Sequence, residues 1–178
     1  HNPRVTPHGT IVMFDNGIFQ ARPFAPALPP DKTFSRGVEY LVDEEAMTVR
    51  EVWASSREMT DDSCNSWAMG DTHRLPGTDN MLVVYSICFP LSEELTYDEW
   101  NRANLHPDDM PNWARIREYT RTEPPEVLWE VQLRDPNDVV QWQVYGGSEM
   151  CIRDSPQVPT TVEVAFEIAS LSWPRRCL

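Results

Sequence analysis

The sequence lacks any long hydrophobic run and has few basic side chains. No stretch approaches the roughly 20 consecutive apolar residues that a membrane-spanning helix needs. The 28 acidic residues outnumber the 15 basic ones and leave a formal net charge of −13. Such a charge repels phosphate backbones and anionic lipid. We therefore expect neither nucleic acid nor a membrane among the partners of this chain, while monomer and homo-oligomer both remain open.

Cysteine is also scarce, and its spacing argues against a metal site. The four cysteines form no CxxC pair and show no His/Cys spacing typical of zinc. We predict neither a metal nor a cofactor. Cys64 and Cys88 flank one strand-like stretch, and they could form a disulfide in an exported protein or stay reduced in the core.

Helical periodicity is rare, whereas short β-branched and apolar runs bounded by Gly, Pro, Asn and Asp recur along the chain. The 16 prolines also disfavour long helices. One short helix is predicted over 97–105, where Thr96 and Glu99 have capping-box spacing. The sequence thus predicts an all-β fold with strands at 10–14, 37–42, 48–53, 72–75, 81–87, 116–119, 127–133 and 139–145.

An internal repeat organises these strands. Residues 1–14 align without a gap on 71–84, so that His1 matches Asp71 and Arg4 matches Arg74. Further matches follow in the same order, namely 36–40 with 115–119 and 52–53 with 128–129.

Repeated β units of this kind bury their faces only against neighbours, as propeller blades do. We predict that residues 1–145 form part of a β-propeller, with about two antiparallel blades and long inserted loops at 18–32 and 88–113.

The end of the chain is interpreted separately. Residues 150–155 look like the in-frame translation of a transposon end used to prepare sequencing libraries. We therefore expect a conceptual translation from metagenomic reads, treat 146–178 as an uncertain tail, and exclude residues from Met150 onward from functional argument. The chain also begins with His1 rather than Met, which favours a truncated protein.

Three segments resemble the arylsulfotransferase family of bacteria: HNPRVTPHGTIVMFDNG from His1, FSRGVEY from Phe34 and MTVREVW from Met47. The resemblance implies the C-terminal part of a propeller that transfers a sulfuryl group from a phenolic sulfate ester to a phenol. It also implies a sulfohistidine intermediate and a periplasmic or secreted location. A neutral imidazole is a competent nucleophile near pH 7, which suits this chemistry.

His1 matches the nucleophile of the family. The other histidines of the family and its sulfate-clamping arginine lie upstream of this position, so we expect the isolated chain to be inactive. Asp71 and His73 should share one face of a strand, because side chains alternate along it. They are candidate substrate-binding residues, and the alternative is that they make structural hydrogen bonds within the blade.

Other residues that recur in both copies of the repeat have structural interpretations. Arg36 and Glu39 recur as Arg115 and Glu118, which favours a structural ion pair. Trp53 and Trp129 lie at equivalent strand ends and are expected in the core between blades.

A second function, from another class, also fits a propeller. The chain could be a non-catalytic module that binds a ligand or protein through its rim loops. Histidines and an arginine in upstream blades, facing the same central funnel as His1, would favour the enzyme.

We predict that the recombinant 178-residue chain is poorly soluble or loosely folded. A propeller that is cut open exposes two blade faces and unpaired strand edges, which promote aggregation. Size-exclusion chromatography, thermal melting and limited proteolysis test this prediction. A monomer that melts cooperatively and resists protease would show instead that the chain is a complete domain.

Overall fold

The protein folds entirely from β-strands in the part of the chain that the structure describes. A computed structural model describes residues 1–18, 20, 26, 28, 32–66, 68–89, 112–137, 143–150 and 163–169. These residues contain no α-helix, and none of them belongs to a helix that could cross a membrane. The all-β prediction is confirmed. The helix predicted over 97–105 lies outside the described residues.

The strands follow the predicted positions closely. They are β1 (Arg4–Val5), β2 (Thr10–Asp15), β3 (Arg36–Asp43), β4 (Thr48–Ala54), β5 (Asn65–Ser66), β6 (Asp71–Arg74), β7 (Met81–Phe89), β8 (Trp113–Tyr119), β9 (Val127–Leu133), β10 (Gln143–Met150) and β11 (Glu163–Ala169). Strands β1, β5 and β11 were not predicted. The first two are only two residues long, too short to show an alternating pattern.

The strands form three antiparallel sheets. The first has the order β1-β2-β3-β4, and the second has the order β5-β7-β8-β9 with β6 also paired to β7. The third consists of β10 and β11. The interpretation of 150–155 as a sequencing artefact stays a prediction, since residues 151–155 lie outside the described part.

The repeat is confirmed by the register of the first two sheets. Phe14 lies opposite Gly37 in the first sheet, and Val84 lies opposite Ile116 in the second. On the next strand, the pair of Glu39 with Trp53 corresponds to the pair of Glu118 with Trp129, and both ladders shift register directly after the glutamate. A shared bulge at the same place shows that the two sheets are equivalent units.

One detail of the repeat alignment is wrong. Arg4 lies opposite Val12, whereas the equivalent Leu82 lies opposite His73, so Arg4 corresponds to His73 and not to Arg74. The physical reason is a compensating pair of insertions. Asn2, with a φ of 51°, adds a residue to the first strand. The turn between β6 and β7 is one residue longer than the turn between β1 and β2.

The inner strands β7 and β8 of the second sheet are buried on both faces and have no exposed residue, whereas its edge strand β9 is largely exposed. One face packs with Val12, Phe14 and Trp53 of the first sheet. The other face packs with Val144 of the third sheet. This face-to-face stacking of antiparallel sheets is the arrangement of successive propeller blades.

A buried carboxylate links the first two sheets. Glu39 is fully buried on β3 and accepts a hydrogen bond from the Thr10 hydroxyl. Two arginines neutralise it, one from strand β6 of the second sheet and one from the turn between β8 and β9. Nη1 of Arg74 lies 3.3 Å from Oε1, and Nε of Arg121 lies 3.0 Å from Oε2. Both arginines contact it from the neighbouring sheet, so the ion pairs bridge one sheet to the next.

The roles predicted for the other repeated residues are confirmed in part. Arg36 forms ion pairs, though not with Glu39, and Trp53 lies in the core, whereas Trp129 is only partly buried. Arg36 makes ion pairs with Asp15 at 3.3 Å and with Glu51 at 3.1 Å. Trp53 is 2% exposed and lies in the core between the sheets. Trp129 is partly buried against the second cluster and donates its indole N–H to Glu118.

We predict that Glu39→Ala lowers the free energy of unfolding by about 3 kcal/mol, because it leaves two partly buried guanidinium groups without their carboxylate. Chemical denaturation of the longer protein that the resemblance implies measures the effect, because the isolated chain is expected to be loosely folded. Glu45→Ala is the matched control, since Glu45 is exposed in the turn after β3, and it should change stability by less than about 0.5 kcal/mol. Equal effects of the two substitutions would contradict the role assigned to Glu39.

Candidate functional site

His1 is held at the end of the first sheet by its main chain. Its carbonyl accepts a hydrogen bond from the Phe14 amide at 2.9 Å, and its own nitrogen donates to the Phe14 carbonyl. This pairing places His1 opposite Phe14, as Asp71 lies opposite Val84. The equivalence of His1 and Asp71 in the repeat is therefore confirmed.

The imidazole of His1 is oriented by the second sheet. Its Nδ1 lies 3.2 Å from the carbonyl oxygen of Gly70. A carbonyl oxygen can only accept, so Nδ1 carries the proton and Nε2 carries the lone pair in the neutral ring. The side chain of His1 is exposed. The ring therefore presents a basic nitrogen to solvent.

Gly70 is required at this contact for two reasons. Its φ of +94° lies in the left-handed region, and a Cβ atom would lie 2.2 Å from Cδ1 of Phe14. Its amide donates to the hydroxyl of Ser86 at 2.8 Å. The close approach of the aromatic ring to the glycine brings the Gly70 carbonyl within reach of His1.

The turn formed by residues 14–17 (FDNG) binds the segment that precedes Gly70. The side-chain amide of Asn16 donates to the Ser66 carbonyl at 2.7 Å and to the Met69 carbonyl at 3.0 Å. Gly17, which follows it, has a φ of +67°, and a Cβ atom there would lie 2.0 Å from the Phe34 carbonyl oxygen. Through the two hydrogen bonds of Asn16 the turn anchors the residues that lead to Gly70.

Asp71 and His73 meet on one face of β6, as strand alternation predicts. Oδ2 of Asp71 lies 2.7 Å from Nε2 of His73 and 3.2 Å from Nη2 of Arg4. Oδ1 accepts the Thr72 amide at 2.9 Å. Asp71 is 2% exposed, so its carboxylate makes structural hydrogen bonds. Direct substrate binding by Asp71 or His73 stays a prediction.

Arg4 is the functional candidate that sequence reasoning missed. Its guanidinium group binds Asp71, yet 48% of its side chain is exposed. An anionic substrate near a chain of net charge −13 needs a local cation, and Arg4 supplies one beside the predicted site. In the sequence, its position three residues after His1 is the feature that could have identified Arg4 as a candidate. The structure thus brings Arg4, Asp71 and His73 into direct contact, and the His1 ring contacts Gly70, the residue that precedes Asp71. These four residues, His1, Arg4, Asp71 and His73, are called the His1 cluster.

A separate cavity of about 550 Å³ lies between the first two sheets, and none of these four residues lines it. Its wall includes the hydroxyl groups of Tyr85 and Tyr119, which lie 3.1 Å apart. Burial raises the pKa of Tyr85 well above its ordinary value, so its hydroxyl stays protonated at neutral pH. Arg117 lines the cavity too, paired with Asp62 at 2.6 Å.

Among the described residues, no group of three or more His, Cys, Asp or Glu side chains is placed to hold a metal ion. The sequence model of the arylsulfotransferase (ASST) family matches residues 1–139. This match includes the whole His1 cluster. A search of curated proteins finds no match to the chain.

We predict that Gly70→Ala destabilises the protein by about 3 kcal/mol, because the added methyl group collides with the Phe14 ring in an unfavourable backbone region. Gly9→Ala is the matched control, since Gly9 also has a positive φ of +77° but nothing lies within 4 Å of the added atom. It should cost about 1 kcal/mol. Thermal and chemical denaturation of the longer protein that the resemblance implies compare the two variants, and equal losses would refute the steric account.

Proposed function

This chain belongs to the arylsulfotransferase family, and we propose that it is the C-terminal part of an aryl-sulfate sulfotransferase with His1 as its nucleophile. The enzyme would take a sulfuryl group from a phenolic sulfate ester and pass it to a second phenol. The observation that carries this assignment is the orientation of the His1 ring by the Gly70 carbonyl.

The proposed reaction has two displacements at sulfur. In the first, Nε2 of His1 attacks the sulfur atom, the bond from sulfur to the aryl oxygen breaks, and the donor leaves as a phenol after taking up a proton. In the second, the oxygen of the acceptor phenol attacks the sulfohistidine and loses its proton. The N–S bond then breaks and the neutral imidazole is restored.

The contacts of His1 favour this role over that of a surface histidine. Nδ1 is the nitrogen that faces the protein, and its hydrogen bond to Gly70 selects the tautomer whose Nε2 is nucleophilic. The carbonyl dipole also stabilises positive charge on the ring. Charge of this sign develops on the imidazole as the N–S bond forms.

The neighbouring side chains suit a sulfate ester and a phenol. Arg4, which pairs with Asp71 and is half exposed, would contact a sulfate oxygen with the part of its guanidinium group that faces solvent. His73 uses Nε2 toward Asp71. If Nε2 carries the proton, the lone pair of Nδ1 can accept a hydrogen bond from the acceptor phenol. Asp71 would act by holding both side chains in place.

The proposal extends to location and to the rest of the protein. We propose a periplasmic or secreted enzyme, on the basis of the family alone. The further histidines and the sulfate-clamping arginine would be supplied by upstream blades. Tests of activity therefore use the longer protein that contains this chain.

We predict that His1→Ala in the longer protein lowers kcat by at least about 10⁴-fold, because no sulfohistidine can form. His8→Ala is the matched control, since His8 is an exposed histidine on the turn between β1 and β2, and it should keep normal kcat and KM. Steady-state kinetics with an aryl sulfate donor and a phenol acceptor measure both variants.

Mass spectrometry then identifies the intermediate. After brief exposure to an aryl sulfate without acceptor, we expect a sulfuryl adduct on the peptide that contains His1, which disappears when a phenol is added. An adduct on another residue would contradict the assignment. A His1→Ala enzyme with raised KM and little change in kcat would show a binding role only. No turnover and no adduct in the unmodified protein would favour the non-catalytic binding module.

A further inference from the structure

Two buried cysteines meet between β5 and β7. The sulfur atoms of Cys64 and Cys88 lie 3.1 Å apart, only about 1 Å beyond the length of a disulfide bond. Cys64 is 2% exposed and Cys88 is fully buried. Neither cysteine belongs to the His1 cluster, and the proposed reaction uses neither of them.

Strand β5 is the shortest strand of the second sheet. It has two residues, and its register with β7 consists of Asn65 opposite Phe89 and Ser66 opposite Cys88. Cys64 directly precedes this strand. We propose that Cys64 and Cys88 form a disulfide bond in the protein as it is exported, and that this bond fixes β5 to β7.

The surroundings of the pair favour Cys64 as the sulfur that reacts first. Cys64 lines the 550 Å³ cavity, so an oxidant can approach it from that side. The hydrogen bond from the Cys88 thiol lowers the pKa of Cys64, and the charges of Arg115 and Arg117 act in the same direction. Burial raises the pKa of Cys88 well above its ordinary value.

The oxidation is a thiol–disulfide exchange with a disulfide oxidant such as oxidised glutathione. The Cys64 thiolate attacks one sulfur of the oxidant, whose S–S bond breaks and releases one thiol. Cys88 then loses its proton and attacks the Cys64 sulfur of the mixed disulfide, which releases the second thiol. The two cysteines thus lose two electrons and two protons, and the oxidant gains them.

The bond would stabilise the segment that leads to Gly70. Within this segment the Ser66 hydroxyl accepts the Ile87 amide at 3.2 Å, and the Ser66 and Met69 carbonyls accept hydrogen bonds from Asn16. The segment ends at the carbonyl that orients His1. A disulfide at its start would therefore hold the support of His1, a consequence that rests on the proposed function. The disulfide itself rests on the proposed export of the protein but not on sulfotransferase activity.

The linkage is tested by mapping the thiols of the full chain. The chain is produced with an export signal, or exposed to oxidised glutathione. Its remaining thiols are then blocked with N-ethylmaleimide under denaturing conditions, and it is digested without reductant. We expect one cross-linked peptide that joins Cys64 to Cys88, with Cys151 and Cys177 blocked. The proposal would be overturned if N-ethylmaleimide modified Cys64 and Cys88. It would also be overturned if the four cysteines formed a statistical mixture of linkages. Both outcomes can be read under denaturing conditions, so the test does not require a soluble chain.

A stability measurement tests the effect on the fold. The measurement uses the longer protein that contains the unmodified chain, because the isolated chain is expected to be loosely folded. Dithiothreitol should lower its Tm by on the order of 5–10 °C, as expected for a cross-link between residues 24 positions apart. Cys64→Ser/Cys88→Ser should show no shift with the reductant, and Cys151→Ser should behave like the unmodified chain. A reductant shift that persists in the double variant would assign the effect to other cysteines. Neither readout depends on sulfotransferase activity, so a failure here leaves the proposed function standing.

Discussion

The need to cover both faces of an apolar sheet governs this structure. Strand β7 has nine residues and buries all of them, which is possible only because one sheet packs on each side of it. A single sheet of this composition would expose large apolar surfaces to water. The stacking of sheets follows from that requirement, and the functional cluster lies where two stacked sheets meet.

Polar groups determine how the first two sheets meet. Glu39 would be costly to bury alone, so its ion pairs with Arg74 and Arg121 must form when the sheets pack. At the site, the absence of a side chain on Gly70 lets the Phe14 ring approach closely. The ion pairs of Glu39 hold the two sheets together. The approach of Phe14 to Gly70 brings the Gly70 carbonyl to His1.

The turn that follows β2 joins the interface to the site. Asn16 donates both of its amide hydrogens to carbonyls of the segment before Gly70, so a turn of the first sheet orders a loop of the second. The same loop begins at Cys64 and lies against β7. Sheet packing, the turn and the cysteine pair therefore all act on the short stretch that positions the imidazole ring.

Strand positions, the repeat and the equivalence of His1 with Asp71 were predictable from the sequence, because alternation and repeated order are properties of neighbouring residues. The predicted ion pairing of Arg36 and Glu39 followed from the same repeat, although the sequence could not name their separate partners. Only the tertiary structure showed that Arg4 is the equivalent of His73, because a bulge at Asn2 and a longer turn cancel in a gapless alignment. Only packing could bring Cys64 to Cys88, or the Gly70 carbonyl to His1, since these contacts join atoms from distant parts of the chain.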